Sequence, residues 1–131
     1  MKATEVTITD YLSSHPLCRV RIKHPSLEQV EDAVRSLDGD QRSTMTIYVT
    51  DERYMLIGGG GNHYICEVFP ETTRLLNLGV PEDSDQYVTV VVGQPGEYWQ
   101  GECVPLHTVL QAARHFADTG EMDGSLLWSE L

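Results

Sequence analysis

The chain has 131 residues, 40% hydrophobic and 22% charged, which are the values of one globular domain with room for a single core. Its formal net charge of −11 is unevenly spread: residues 1–70 hold 10 acids and 7 bases, residues 71–131 hold 10 acids and 2 bases. Such a field repels nucleic acid and anionic lipid, which need clustered Lys and Arg, and favours basic protein partners.

No apolar run approaches the roughly 18 residues of a membrane span, and MKATEVTITDYL lacks the basic-then-apolar pattern of a secretory signal. Cys18, Cys66 and Cys103 form no close pair and suit a reducing compartment, so a cytoplasmic protein is expected.

Residues 5–9 and 17–23 alternate as strands, the second with Cys18, Val20 and Ile22 on one face and Arg19, Arg21 and Lys23 on the other. His24-Pro25-Ser26 breaks that strand. Ser26 and Gln29 form a capping box that predicts a helix of about 11 residues, buried along Leu27, Val30, Val34 and Leu37 and stopped at Asp38-Gly39-Asp40. Met45, Ile47 and Val49 alternate with Thr44, Thr46 and Tyr48 as the next strand. The polar turn Thr50-Asp51-Glu52 leads into a hairpin partner from Tyr54 to Ile57. Glycines 58–61 are expected to separate it from a strand over 63–69, on which Tyr64, Cys66 and Val68 share a face.

Residues 70–85 form a looser stretch containing Pro70, Pro81 and the acid cluster Glu82, Asp83 and Asp85. Tyr87 to Val92 is the most apolar strand and is expected at the centre of the sheet. Gly93-Gln94-Pro95-Gly96 predicts a turn into a strand from Glu97 to Val104 around Tyr98 and Trp99. Leu106, Val109, Leu110, Ala113, Phe116 and Ala117 recur at helical spacing, with Pro105 at the first helical position and Gly120 as the left-handed stop. A tail bearing Leu126, Leu127 and Trp128 returns to close the core, where Leu110, Phe116 and Trp128 are placed. The order lacks regular βα alternation. It predicts one α+β domain over residues 1–131, a single mainly antiparallel sheet of six to seven strands packed with two helices.

The search for chemistry returns few candidates. Four glycines after a strand could cradle a phosphate, but Asn62-His63-Tyr64 follows, with no Lys-Ser/Thr and no helix start. A glycine-rich hairpin or bulge, where backbone approaches backbone, explains them better. His107 and His115 stand eight residues apart on a helix, too far for one metal, and His63 and Cys66 are three apart on a strand and point oppositely. No metal or cofactor is expected. Cys66 and Cys103 sit in strand patterns as small core residues, Ser13-Ser14-His15 lacks a strand-to-helix elbow, and Glu97 with Glu102 is an unremarkable carboxylate pair in so acidic a chain. No catalytic residue is assigned. By contrast, Tyr48 and Tyr54 flanking the Asp51-Glu52 turn, and adjacent Tyr98 and Trp99, are rings beside carboxylates of the kind found in protein-binding hot spots.

Leu56-Ile57-Gly58-Gly59-Gly60-Gly61-Asn62, the strand Gly96-Glu97-Tyr98-Trp99, then Val104-Pro105-Leu106 with Ala112-Ala113, Phe116, Thr119-Gly120 and Trp128, resemble in order and spacing a family of bacterial immunity proteins that accompany polymorphic toxins. The resemblance is to the immunity family often found beside nucleic-acid deaminase toxins, and it covers roughly residues 43–131. Residues 1–42 share only a strand-then-helix outline, and residues 70–85 replace a shorter link. The resemblance implies a non-enzymatic protein that binds and neutralises one cognate secreted toxin, a cytosine deaminase acting on nucleic acid, by capping its basic cleft. The free protein is expected as a monomer and the complex as a heterodimer, with no nucleic acid or membrane bound. Asp51, Glu52, Tyr54, Glu82, Asp83, Asp85, Glu97, Tyr98 and Trp99 form the pool of expected toxin contacts. The competing classes are an acidic adaptor binding another basic protein, and a small ligand-binding domain using the glycine turn.

Overall fold

The structure is a computed structural model that describes the backbone of residues 1–12 and 15–131, and their side chains except at 12 and 15–18. Ser13, Ser14 and the side chains of His15 and Cys18 lie outside the described residues.

Seven antiparallel strands build the main sheet: β1 (Glu5–Leu12), β2 (His15–Lys23), β3 (Arg42–Tyr48), β4 (Tyr54–Gly60), β5 (His63–Phe69), β6 (Thr73–Leu75) and β9 (Trp128–Glu130), in the order β2-β1-β3-β4-β5-β6-β9. Two further strands, β7 (Tyr87–Val92) and β8 (Gln94–Trp99), pair only with each other. With the helices α1 (Leu27–Ser36) and α2 (Leu106–Thr119), the fold is α+β.

Both helices lie on one face of the main sheet. Alternate residues there (Val6, Ile8, Met45, Ile47, Met55, Ile57, Cys66 and Val68) join Val30, Val34, Val109 and Phe116 in one buried cluster. Ser26 caps α1 as its capping box requires: its hydroxyl accepts from the Gln29 N–H at 3.1 Å, and Gln29 Oε1 accepts from the Ser26 N–H at 2.9 Å. Pro105 stands at the N-cap of α2 rather than inside its first turn. Asn62 in the β4–β5 turn satisfies the freed Leu106 N–H at 3.0 Å, and Gly120, at φ +77°, ends the helix. Phe116 is fully buried, whereas Leu110 and Trp128 are half-buried at the core margin and Leu127 is 45% exposed.

Two expectations need correction. The strand from Tyr87 to Val92 is not central; it forms the separate β7–β8 hairpin across the other face of the main sheet, where Val90 packs with Ile65 and Cys103, and Tyr87 is 64% exposed. Its apolar character reflects a covered face, but the cover is another layer. The chain reverses at Gly93, so β8 begins at Gln94 and ends at Trp99. A single 3-10 turn (Gln100–Glu102) follows where a strand to Val104 was expected. The short β6 and β9, not expected as strands, complete the sheet beyond β5 instead.

The glycine run explains how the layers meet. Three of its members continue β4, and the reversal is Gly61-Asn62, with φ +60° and +70°, the geometry of a two-residue hairpin turn. A Cβ at Gly58 would stand 2.5 Å from Val92 Cγ1, and one at Gly60 would stand 2.3 Å from Gly39 N. The hairpin layer and the end of α1 therefore approach bare backbone. Gly60→Ala should cost about 3 kcal/mol of unfolding free energy, combining φ +148° with the clash. Gly61→Ala, whose Cβ would meet nothing within 4 Å, should cost about 1–2 kcal/mol from its left-handed φ alone. Urea denaturation of the two variants checks this order.

Candidate partner-binding surfaces

The expected contact residues separate into two groups. Asp51 and Glu52 sit exposed in the β3–β4 turn. That turn is closed by Val49 N–H donating to Arg53 O at 2.9 Å and by Thr50 Oγ1 accepting from the Arg53 N–H at 3.0 Å. Neither carboxylate has a partner among the described residues, so both project into solvent. Arg53 anchors this end of the molecule: Nε donates to Gly120 O at 2.6 Å and Nη1 to both Glu71 oxygens at 2.7 and 2.6 Å. Its guanidinium lies 5.5 Å from the Phe116 ring centre. Tyr54 follows the turn, half-buried, with its ring centre 5.6 Å from Tyr48 and 5.0 Å from Phe69.

The second group lies at the far end of the β7–β8 layer. Glu82, Asp83 and Asp85 are exposed on the β6–β7 connection, which is tied down by Trp99 Nε1 donating to Ser84 O at 2.7 Å and Gln100 N–H donating to Gln86 O at 2.9 Å. Trp99 thus holds the loop in place, with its ring against Gly101. Tyr98 packs between the layers beside Ile65 and Cys103, and Arg74 stands 5.4 Å from its ring centre. Arg74 is itself held by Glu67 at 2.8 Å and by Glu102. Glu97 is exposed and accepts from Thr89 Oγ1 at 2.6 Å. Tyr98 and Trp99 therefore serve the fold, while the carboxylates around them remain open to solvent.

Backbone pairing shows a surface that the sequence did not single out. On the sheet face away from the helices, Lys23, Glu5, Tyr48, Tyr54 and Phe69 are successive cross-strand partners, one from each of β2, β1, β3, β4 and β5. The adjoining row runs Arg21, Thr7, Thr46, Leu56, Glu67 and Arg74. A third row, Arg19, Thr9, Thr44, Gly58 and Ile65, passes beneath the β7–β8 hairpin at Gly58 and Ile65. The alternation of Arg19, Arg21 and Lys23 was visible in the sequence. Phe69, hidden before Pro70, and the lone Leu56 carried no comparable signal.

A groove of about 600 Å³ between the outer faces of α1 and α2 holds Glu31, Arg35, His107, Arg114 and Asp118. Arg114 there pairs with Glu31 at 3.2 Å. No group of three or more His, Cys, Asp or Glu among the described residues is arranged to hold a metal ion. Burial pushes the Cys103 thiol up to about 11 and the Cys66 thiol higher still, so both are protonated and inert at neutral pH.

The family model for the immunity protein Imm1 matches residues 20–130, and the chain belongs to that family. Compared with curated proteins, the chain matches none.

The carboxylates carry the acid sensitivity of the fold. The Arg42 guanidinium, 2.5 Å from Asp10, holds that carboxyl below its usual range. Hydrogen bonds from Ser125 and Gln111 do the same for Asp123. At Glu71 burial opposes ionisation, but Arg53 prevails and the value is again lowered. These groups stabilise the fold while ionised, fully above the unfolded carboxyl value near about pH 4, and that contribution disappears as pH falls through their lower folded values. The urea midpoint should therefore fall steeply below about pH 4. Asp10→Asn should weaken the fold at neutral pH and flatten part of that fall.

Proposed function

We propose that this chain binds and neutralises one cognate toxin, in the cytoplasm, by stoichiometric association without turnover. Membership of the Imm1 immunity family is the observation that carries the reading. The toxin is inferred to be a nucleic-acid-acting enzyme, a cytosine deaminase, whose basic cleft the chain caps. The support is charge: a net −11, with Asp51, Glu52, Glu82, Asp83 and Asp85 all exposed, suits a partner shaped to hold phosphates.

A ligand-binding role for the glycine turn receives no support from the geometry. The backbone of Gly58, Gly59 and Gly60 is engaged with Ile65, Tyr64 and His63 across the β4–β5 ladder, and neighbouring side chains and backbone crowd it. The free carboxylates act by long-range steering, which changes association rates more than dissociation rates.

Co-expression with a candidate toxin domain from a neighbouring gene should restore growth and yield a complex on co-purification. Titration of toxin activity should break at one equivalent; complete neutralisation at a small fraction of an equivalent would contradict stoichiometric binding. Replacing Glu82, Asp83 and Asp85 together by Ala should slow association several-fold at low salt and much less at high salt. An unchanged rate and salt slope would remove the acidic-steering part.

A further inference from the structure

Four apolar side chains of the main sheet, Tyr48, Tyr54, Leu56 and Phe69, pack into neither hydrophobic cluster. All four are half-buried; the Tyr54 ring stacks on Phe69 and lies tilted against Tyr48, so the three rings form one continuous aromatic row. The two helices occupy the opposite side of the sheet, and the β7–β8 hairpin covers the row through Gly58 and Ile65 and, through Tyr98, the Glu67–Arg74 end of the next, leaving the row through Tyr54 and the stretch around Leu56 outside it.

The margin of this face is basic. Arg42, Arg53, Arg74 and Arg114 each pair with an acid, but Arg19, Arg21 and Lys23 are exposed on β2 with no ion-pair partner among the described residues. Cations on an edge strand discourage edge-to-edge pairing, and two copies joined antiparallel through β2 would oppose like charges. Edge protection explains those three residues. It does not explain an aromatic row two to four strands inward.

The open part spans five strands, about 20 Å, and its two rows make about 300 Å², which is over a third of what one partner contributes to a standard interface. The Asp51-Glu52 turn, flanked by Tyr48 and Tyr54, extends it at the rim.

We infer that this open sheet face, centred on Tyr54 and bordered by Arg19, Arg21 and Lys23, is the surface that docks on the cognate toxin. It meets an apolar patch of the toxin whose margin over β2 carries carboxylates. The inference rests on the reading of the chain as a toxin-neutralising protein. The exposed acids draw the toxin in; the aromatic row and the cation strip hold it and set its orientation. Contacts of the second kind act on dissociation.

The test uses the purified candidate toxin domain whose toxicity this chain relieves on co-expression, and surface-plasmon kinetics with the full chain. Tyr54→Ala, and separately the exposed double variant Arg21→Glu/Lys23→Glu, should each raise the dissociation rate at least tenfold with circular dichroism unchanged. Tyr87→Ala, on the outer hairpin, should stay within twofold of the wild type. If the wild type binds and both open-face variants dissociate at its rate, the docking assignment is overturned while the neutralising role stands. If the wild type itself fails to bind that domain, the neutralising role fails, and the docking assignment with it.

Discussion

The Val90 and Val92 side chains of the hairpin layer and the backbone at the end of α1 converge on the glycines of β4, and the rest of the architecture follows from that crowding. Gly58 lets Val92 press against the sheet, Gly59 takes φ +101° beside Val90, and Gly60 lies against Asp38 and Gly39 at the end of α1. A side chain at Gly58 or Gly60 would push a neighbouring layer away. A Cβ at Gly58 would meet the Val92 side chain and one at Gly60 the backbone of Asp38 and Gly39, both closer than a Cβ allows, so a layer must shift to admit it. The turn that follows reaches across to α2 through Asn62, so a few residues register the hairpin layer, the sheet and both helices.

That convergence also divides the two faces of the sheet. The helix side is a continuous apolar core. The other side is only partly roofed, because the hairpin rests over Gly58 and Ile65 and reaches Arg74 through Tyr98, leaving the row through Tyr54 and the stretch around Leu56 open. The acidic loops are held rather than loose: Trp99 and Gln100 fix the segment with Glu82, Asp83 and Asp85, and Arg53 fixes the end of the molecule that carries Asp51 and Glu52. A surface with its loops and rings already fixed loses little conformational freedom on binding, which is what tight association requires.

Local signals were legible in the sequence, and distant ones were not. The capping box at Ser26 and Gln29, the stripe of α2 and the alternation of β3 each depend on neighbours a few residues away. The position of Tyr87 to Val92 was misread because a continuous apolar run reports that its faces are covered, not by which layer. What seats it is Gly58, some 30 residues distant in the chain, and Ile65. The three-residue strands β6 and β9 are too short to show a period. Of the residues named from turns and rings, Asp51, Glu52, Glu82, Asp83, Asp85 and Glu97 lie exposed. Tyr98 packs between layers and Trp99 holds a loop, placements that only tertiary contacts reveal. The row from Lys23 to Phe69 exists only once strand order and register are known, since its members come from five strands.

The central claim is that an immunity protein of this fold engages its toxin through the open sheet face, with acidic turns at the rim. Hydroxyl-radical footprinting of the free chain and of its toxin complex reads that face directly. The account predicts that Tyr48, Tyr54 and Phe69 lose reactivity in the complex while Tyr87 keeps it. Unchanged reactivity of those three rings, with protection confined to Tyr87 or to the groove between the helices, would contradict it.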